Sequence, residues 1–142
     1  MPDEKRILVV DDDPAIRTLL FTVLRRKGLP VDTAKHGGDA IDKLARCRYA
    51  LMLLDLMMPV MNGWEVLASI VQIDAAYRPL VILMTAGNEP RDFDPGIVIG
   101  SVRKPFDVQL MYDTIAGCIS VLAPRPQLPG CPPPQSTPDA LS

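Results

Sequence analysis

The sequence predicts an α/β fold in which helices cover both faces of a five-stranded parallel sheet. Five short apolar runs alternate along its 142 residues with segments whose apolar residues recur at helical spacing. Right-handed crossovers between successive parallel strands place the intervening helices on both faces of one sheet, which is a doubly wound architecture. The predicted strands are residues 7–10, 31–34, 50–54, 80–84 and 97–102.

The first strand and the first helix meet at a run of acids. Residues 7–10 are continuously apolar, as in a strand buried on both faces, and they end at three aspartates, 11–13. Asp13 directly precedes Pro14, which predicts an N-cap residue followed by proline at the first helical position. Apolar residues then recur at helical spacing until Gly28 ends the helix.

The next two strands follow the same scheme. Residues 31–34 are predicted to form a short strand, after which a glycine pair opens a helix with its apolar residues on one stripe. The strand at 50–54 ends at another acid, Asp55. Turn-forming residues follow Asp55 and lead to a short helix over 64–72.

The last two strands end near a hydroxyl and an ammonium group. Residues 80–84 lead to Thr85, and residues 97–102 lead to Lys104. A final helix is predicted over 108–122, where apolar residues again recur at helical spacing.

The composition argues against several classes of protein. The net charge is −2 and the basic residues are scattered, so we expect no direct binding of nucleic acid. No apolar run approaches the roughly 18 residues of a membrane span. Cys47, Cys118 and Cys131 are odd in number and far apart, so we expect no disulfide framework and a reducing cytoplasm. With a single histidine, any metal should be bound by oxygen.

The domain organisation follows from a change in composition near the C-terminus. Residues 1–123 are predicted to form one domain. Seven of the 15 prolines lie in residues 124–142. Such a segment buries too little apolar surface to offset its ordering entropy, so we expect a flexible Pro-rich tail.

Chemically active side chains lie at the ends of the predicted strands. In doubly wound sheets ligands bind beyond the carboxyl ends of the strands, where the strand order reverses. The residues at or just beyond such ends are Asp11, Asp12, Asp55, Thr85 and Lys104. The topology therefore predicts one site built from residues more than ninety positions apart in the chain.

The predicted site suits phosphoryl transfer with a metal ion. Converging carboxylates repel one another unless a cation is present, and Mg²⁺ prefers oxygen ligands of this kind. Phosphoryl transfer depends mainly on positioning and on neutralising the phosphoryl oxygens. A metal ion, the Lys104 ammonium and the Thr85 hydroxyl can neutralise them, and an aspartate can serve as the nucleophile.

Four segments of the chain resemble the signatures of response-regulator receiver domains. They are Ile7–Pro14 (ILVVDDDP), Asp55–Gly63 (DLMMPVMNG), Thr85-Ala86 and Lys104–Phe106 (KPF). The similarity extends over about residues 5–122 and implies a flavodoxin-like receiver fold in two-component phosphorelay signalling. The resemblance implies a stand-alone, chemotaxis-regulator-like receiver domain.

The resemblance implies a role for each residue of the site. Asp55 would accept a phosphoryl group from a histidine kinase or a histidine phosphotransfer protein. Asp11, Asp12 and Asp55 would hold Mg²⁺ together with the Met57 carbonyl. Thr85 and Lys104 would contact the phosphoryl oxygens. The domain would catalyse only its own phosphorylation and dephosphorylation, so we do not expect an enzyme in the ordinary sense.

The sequence departs from the family pattern between Thr85 and Lys104. This segment is a few residues short and contains Pro90, Pro95 and Gly96. Proline inside a helix costs about 3 kcal/mol, so we expect the family's fourth helix to be short or absent, with a loop over 88–96. Ser101 stands where the family often has an aromatic switch residue.

Three expectations about function follow. No second folded segment is predicted after the receiver, so output is expected through an unidentified protein partner rather than an attached domain. A phosphorylation-independent pseudo-receiver is the main alternative. A phosphatase of the haloacid-dehalogenase type is the other, since Asp11 and Asp13 form a DxD pair, although Ala15 stands where that family has Thr or Val.

Overall fold

The computed structural model describes residues 3–58, 62–87 and 94–138. The backbone of these residues forms seven strands. They are β1 (Asp3–Glu4), β2 (Ile7–Val10), β3 (Val31–Ala34), β4 (Leu51–Asp55), β5 (Leu80–Thr85), β6 (Val98–Arg103) and β7 (Arg125–Pro126). Five of them make a parallel sheet in the order β3-β2-β4-β5-β6, which confirms the doubly wound fold.

The helices lie where the periodicity of the sequence predicts them. In the described ranges they are α1 (Pro14–Arg26), α2 (Gly37–Arg46), α3 (Gly63–Val71) and α4 (Val108–Val121). The Asp13 side chain caps α1 by accepting a hydrogen bond from the Ala15 N–H at 2.9 Å. The N-terminus of α3 is closed by a reciprocal capping box between Asn62 and Glu65.

Two apolar layers sandwich the sheet. Leu8 and Val10 pack in the layer that includes α2 and α3, whereas Ile7 and Val9 pack in the layer of α1 and α4. All four side chains are completely buried. This two-sided burial explains why the strands are continuous apolar runs rather than alternating ones.

The segment between β5 and β6 follows the expectation as far as it is described. Residues 86–87 and 94–97 contain no helix, and the Asp94 carbonyl accepts hydrogen bonds from the backbone of Ile97 and Val98 in a turn. The rest of the expected loop, with Pro90, lies outside the described residues, as does Pro59 of the earlier turn. Ser101 is exposed on β6.

The C-terminal segment differs from the expected flexible tail. Residues 124–138, which we call the strap, pack against the domain. β7 pairs antiparallel with β1, and the Gln127 side chain makes two hydrogen bonds of 2.8 Å with the Arg48 backbone. A disulfide also ties the strap to the domain. These contacts offset the ordering entropy on which the expectation of flexibility was based.

The expectation that the cysteines form no disulfide is wrong. Cys47 and Cys131 form a disulfide across 84 residues of sequence, and Cys118 is the free cysteine. Cys47 is the C-cap of α2, and the strap crosses the domain surface beside it.

Within the described ranges, every helix is too short or too polar to cross a membrane.

Candidate functional site

Four strands deliver the predicted side chains to one edge of the sheet. Asp11 directly follows β2, and Asp55 ends the neighbouring strand β4. Thr85 ends β5, one residue beyond the Met84 that pairs with Asp55. Lys104 follows β6, and its backbone N–H donates to the Thr85 carbonyl at 2.8 Å.

Three carboxylates converge at this edge. One oxygen each of Asp11, Asp12 and Asp55 lies within 4.8 Å of the others. Asp11 is completely buried and Asp55 is 4% exposed, whereas Asp12 is exposed to solvent. Carboxylates this close repel one another, so the cluster favours a bound cation.

Lys104 bridges the two buried carboxylates. Its Nζ lies 2.7 Å from Asp11 Oδ2 and 3.3 Å from Asp55 Oδ2. Burial lowers the pKa of Lys104, but the hydrogen bonds and charges of Asp11 and Asp55 outweigh burial and raise that pKa overall. Lys104 is therefore a cation at neutral pH, and its side chain is 25% exposed.

Asp55 is less acidic than an ordinary aspartate. Burial and the Asp11 carboxylate raise its pKa to about 6, against opposing effects of the Met57 N–H and Lys104. Its Oδ1 accepts the Met57 N–H at 3.1 Å, and its Oδ2 faces Lys104. The Met57 backbone thus lies beside Asp55, while the Met57 side chain is 64% exposed.

This pKa shift predicts how the stability of the metal-free protein depends on pH. The folded state binds the Asp55 proton more tightly than the unfolded chain does. The contribution of Asp55 to stability is therefore fully present below about pH 4 and is lost as the pH rises through about 6. In the presence of a chelator, Asp55→Asn should raise the free energy of unfolding at pH 7 by about 1–3 kcal/mol, measured by urea denaturation.

Two comparisons check that prediction. The difference between Asp55→Asn and the wild type should vanish at pH 4, and the exposed Asp42→Asn should match the wild type at both pH values. If Asp55→Asn instead unfolds more easily than the wild type at pH 7, the ionised Asp55 carboxylate is not destabilised by burial and by Asp11, and the prediction is contradicted.

Asp11 is fixed from several sides. Its Oδ1 accepts the Asp13 N–H at 2.9 Å, and its own N–H donates to the Ala34 carbonyl at 3.2 Å. The buried Arg17 donates to the Asp11 carbonyl at 2.8 Å. The sequence prediction missed Arg17, because an arginine one turn into an amphipathic helix is usually a solvent-facing residue.

Gly63 permits α3 to begin against the end of β4. A Cβ at this position would lie 2.7 Å from both the Asp55 carbonyl oxygen and Leu56 Cα. Backbone atoms cannot yield as a flexible side chain can. The absence of a side chain at position 63 therefore sets how closely α3 approaches Asp55.

We expect Gly63→Ala to lower the free energy of unfolding by about 1–3 kcal/mol, a cost typical of overpacking. Gly117→Ala is the matched control, since a Cβ on this α4 glycine meets nothing within 4 Å. Helix propensity should make the control more stable by up to about 1 kcal/mol. Urea denaturation measures the stability of both variants. A Gly63→Ala variant as stable as Gly117→Ala would contradict the close approach at Gly63.

The chemistry of the donor set fits magnesium. Mg²⁺ takes hard oxygen ligands, keeps several waters and is usually held by one or two carboxylates. Buried Asp11 and Asp55 supply fixed carboxylates, and the exposure of Asp12 leaves room for water. The carboxyl edge of the sheet can therefore hold an oxygen-coordinated cation beside an aspartate and a lysine.

The family is established by comparison with known proteins. Residues 7–116 match the family described as the response regulator receiver domain. The chain belongs to this family. Receiver domains serve as phosphoacceptors in two-component systems, and Mg²⁺ and phosphoaspartate are typical of them.

The relatives of this receiver domain include both longer and shorter proteins. Transcriptional regulatory protein ResD of Bacillus subtilis is 42% identical over 107 residues, which cover 73% of the chain and 43% of ResD. The chain thus spans less than half the length of ResD. Sporulation initiation phosphotransferase F of Bacillus subtilis is 35% identical over 114 residues, which cover 78% of the chain and 90% of that protein.

Solved receiver structures agree with the fold. Response regulator protein TrrA from Thermotoga maritima, crystallised in complex with Mg(2+)-BeF, superposes with a TM-score of 0.69 at 35% identity. That comparison covers 80% of this chain and 98% of TrrA. A CheY-like receiver from Methanospirillum hungatei gives a TM-score of 0.66 at 28% identity, covering 81% of this chain and 96% of the other.

Proposed function

We propose that this receiver domain accepts a phosphoryl group on Asp55 from a phosphohistidine of a histidine kinase or a phosphotransfer protein. The observation that carries the proposal is the position of the Asp55 carboxylate, buried between Asp11 and Lys104 at the carboxyl edge of the sheet. Membership of the receiver family supports the same reaction class.

Asp55 is the nucleophile in this proposal. One carboxylate oxygen attacks phosphorus, so that a P–O bond forms while the P–N bond of the donor breaks. The Met57 N–H holds Oδ1 and limits rotation of the carboxylate. Asp55 must be ionised to attack, so its pKa of about 6 leaves most of it reactive at neutral pH.

Lys104 and Thr85 complete the site on the phosphoryl side. Lys104 Nζ already lies 3.3 Å from Asp55 Oδ2, so it can pair with a phosphoryl oxygen attached to that carboxylate. The Thr85 hydroxyl is held at the same edge by the end of β5. Both groups would stabilise the negative charge on the phosphoryl oxygens while the P–N bond of the donor breaks.

Asp11, Asp12 and Asp55, with the Met57 carbonyl, are the proposed magnesium ligands. The bound ion would neutralise charge on the carboxylates and on the phosphoryl oxygens. Water reaching the phosphoaspartate would hydrolyse it, which we propose as the route by which the domain dephosphorylates itself.

The output of the domain is proposed to pass through contact with another protein in the cytoplasm. With a net charge of −2 and scattered basic residues, the sequence offers no basic patch for direct binding of nucleic acid. The proposed signal is a population shift, on phosphorylation, in the segments after Thr85 and around Ser101. The phosphorylated and unmodified forms of the domain would then differ in their affinity for the partner.

Incubation with phosphoramidate, a small donor containing a P–N bond, tests the proposed reaction. We expect intact-protein mass to show one added phosphoryl group with Mg²⁺ and none with a chelator. No addition, under conditions in which an established receiver domain is modified, would contradict the proposal and favour the phosphorylation-independent pseudo-receiver.

A further inference from the structure

The disulfide that ties the strap to the domain is unevenly exposed. Cys47 is 3% exposed at the end of α2, whereas Cys131 in the strap is partly accessible. A thiolate in solution can therefore approach the Cys131 sulfur more readily than the Cys47 sulfur. Access to one sulfur decides which one is attacked in thiol–disulfide exchange.

A buried arginine stands beside the protected sulfur. Arg6 Nη1 lies 3.5 Å from Cys47 Sγ, and it also donates to the Pro132 carbonyl at 3.0 Å and to Asp32 Oδ2 at 3.2 Å. A neighbouring guanidinium stabilises a cysteine thiolate. Arg6 is therefore placed to stabilise a departing Cys47 thiolate, and exchange proceeds faster when the departing thiolate is stabilised.

Besides the disulfide, the β7–β1 pairing and the hydrogen bonds of Gln127 and Pro132, the strap is held to the domain through Gln135. The Gln135 N–H donates to Asp32 Oδ1 at 2.9 Å, and Gln135 Oε1 accepts the Thr33 N–H at 2.6 Å. Thr33 lies in β3, at the outer edge of the sheet, so the strap binds a backbone N–H of an edge strand.

The strap lies outside the part of the chain that defines the family. The family match ends at residue 116, and the strap begins at 124. The sheet and its four helices pack through residues that precede the strap, with Cys131 the strap's contribution to the apolar layers. The domain core can therefore persist when the strap is released.

We propose that Cys47–Cys131 is a reversible redox modification site that takes a dithiol reductant and controls docking of the strap. The reductant's thiolate attacks the Cys131 sulfur, the disulfide bond breaks, and its electron pair leaves on Cys47 beside Arg6. The second thiolate of the reductant then attacks the mixed disulfide and releases Cys131. The cysteines gain two electrons, which the dithiol loses as it becomes a disulfide.

Two features give this exchange a consequence. In the reduced form the strap is held only by non-covalent contacts, so we expect the outer edge of β3 to become accessible. The next residue of β3, Ala34, accepts the Asp11 N–H that helps to fix the metal-site loop. In a reducing cytoplasm, a location that is itself part of the proposed function, disulfides are mostly transient or redox-sensing.

Hydrogen exchange on the full chain equilibrated with dithiothreitol tests the proposal. Without denaturant, we expect mass analysis after alkylation to find modified Cys47 and Cys131, with secondary structure retained. The Thr33 and Gln135 amides should exchange at least tenfold faster than in the oxidised protein, and reoxidation should restore both the bond and the protection. A bond that opens only in denaturant, or strap amides that stay protected after reduction, would overturn the proposal.

Two cysteine variants separate the bond from other thiol chemistry. Cys131→Ser should reproduce the fast exchange of Thr33 and Gln135 under oxidising conditions. Cys118→Ser should respond to dithiothreitol as the wild type does, because Cys118 is outside the disulfide. Protected strap amides in Cys131→Ser would contradict the proposal, and the reduced wild type decides the question if that variant does not fold.

Discussion

Replacing Lys104 by methionine is expected to slow phosphorylation of Asp55 by about 100- to 1,000-fold, the usual cost of removing one transition-state donor. Methionine keeps much of the side-chain volume. It removes the one positive charge that pairs with both Asp11 and Asp55 in the described part of the site. The initial rate with phosphoramidate at saturating Mg²⁺, followed by intact mass, measures the effect.

Lys27→Met is the matched control for Lys104→Met. Lys27 is an exposed lysine whose Nζ lies 4.9 Å from the centre of the Tyr112 ring, on α1's C-cap. Its replacement should leave the rate unchanged. Urea denaturation with Mg²⁺ would separate a rate effect from unfolding. A Lys104→Met rate within threefold of the wild type would show that Lys104 does not act on the phosphoryl group.

Replacing Arg6 by methionine is expected to lower the free energy of unfolding by about 3–5 kcal/mol, the range for breaking a buried ion pair from one side. Arg6 is 2% exposed and donates to Glu4 at 2.6 Å and to Asp32 at 3.2 Å. Without Arg6 the buried Asp32 carboxylate keeps the Tyr49 hydroxyl at 2.6 Å but loses its one charged partner among the described residues. Urea denaturation at pH 7 measures the loss.

Two further variants test the Arg6 prediction. In the double variant Arg6→Met/Asp32→Asn the carboxylate is gone, so the combined loss should be smaller than the sum of the single losses. The exposed Arg25→Met should cost less than about 1 kcal/mol, as surface contacts usually do. Additive losses for Arg6 and Asp32 would contradict the pairing.

Strand topology was sufficient to predict that Asp11, Asp55 and Lys104 meet at one edge of the sheet, whereas the proposed roles of Thr85 and Lys104 come from the resemblance to receiver domains. In a parallel sheet each strand returns to the same edge, so Asp11 and Asp55 had to meet once β2 and β4 were neighbours. Lys104 is 93 residues from Asp11, yet its place after an apolar run was enough to bring it there. Strand topology, rather than sequence proximity, made these contacts predictable.

The strap and the buried arginines could not be predicted in the same way. Cys47 and Cys131 are separated by 84 residues and belong to no periodic pattern, so only the folded path of the chain brings them together. Arg6 and Arg17 precede or follow apolar residues as surface arginines do. Their burial depends on specific acceptors, the Asp32 carboxylate and the Asp11 carbonyl, which sequence spacing does not reveal.

The turn at residues 94–97 was predictable because proline acts locally. Pro95 precludes a helix through the described turn at 94–97, where Asp94 instead caps the backbone of Ile97 and Val98. Ser101 remains exposed on β6 and offers no ring that could move between buried and exposed positions. The mode of output therefore stays a proposal that rests on protein contact rather than on an aromatic switch.

The phosphorylated residue can be located directly by trapping the acyl phosphate with borohydride and mapping the resulting peptide. We expect reduction at Asp55 alone, dependent on Mg²⁺, absent in Asp55→Asn and retained in Asp13→Asn, because Asp13 caps α1. Trapping at any other aspartate, or phosphorylation that persists in Asp55→Asn or without Mg²⁺, would contradict the central claim that Asp55 is the metal-dependent phosphoacceptor.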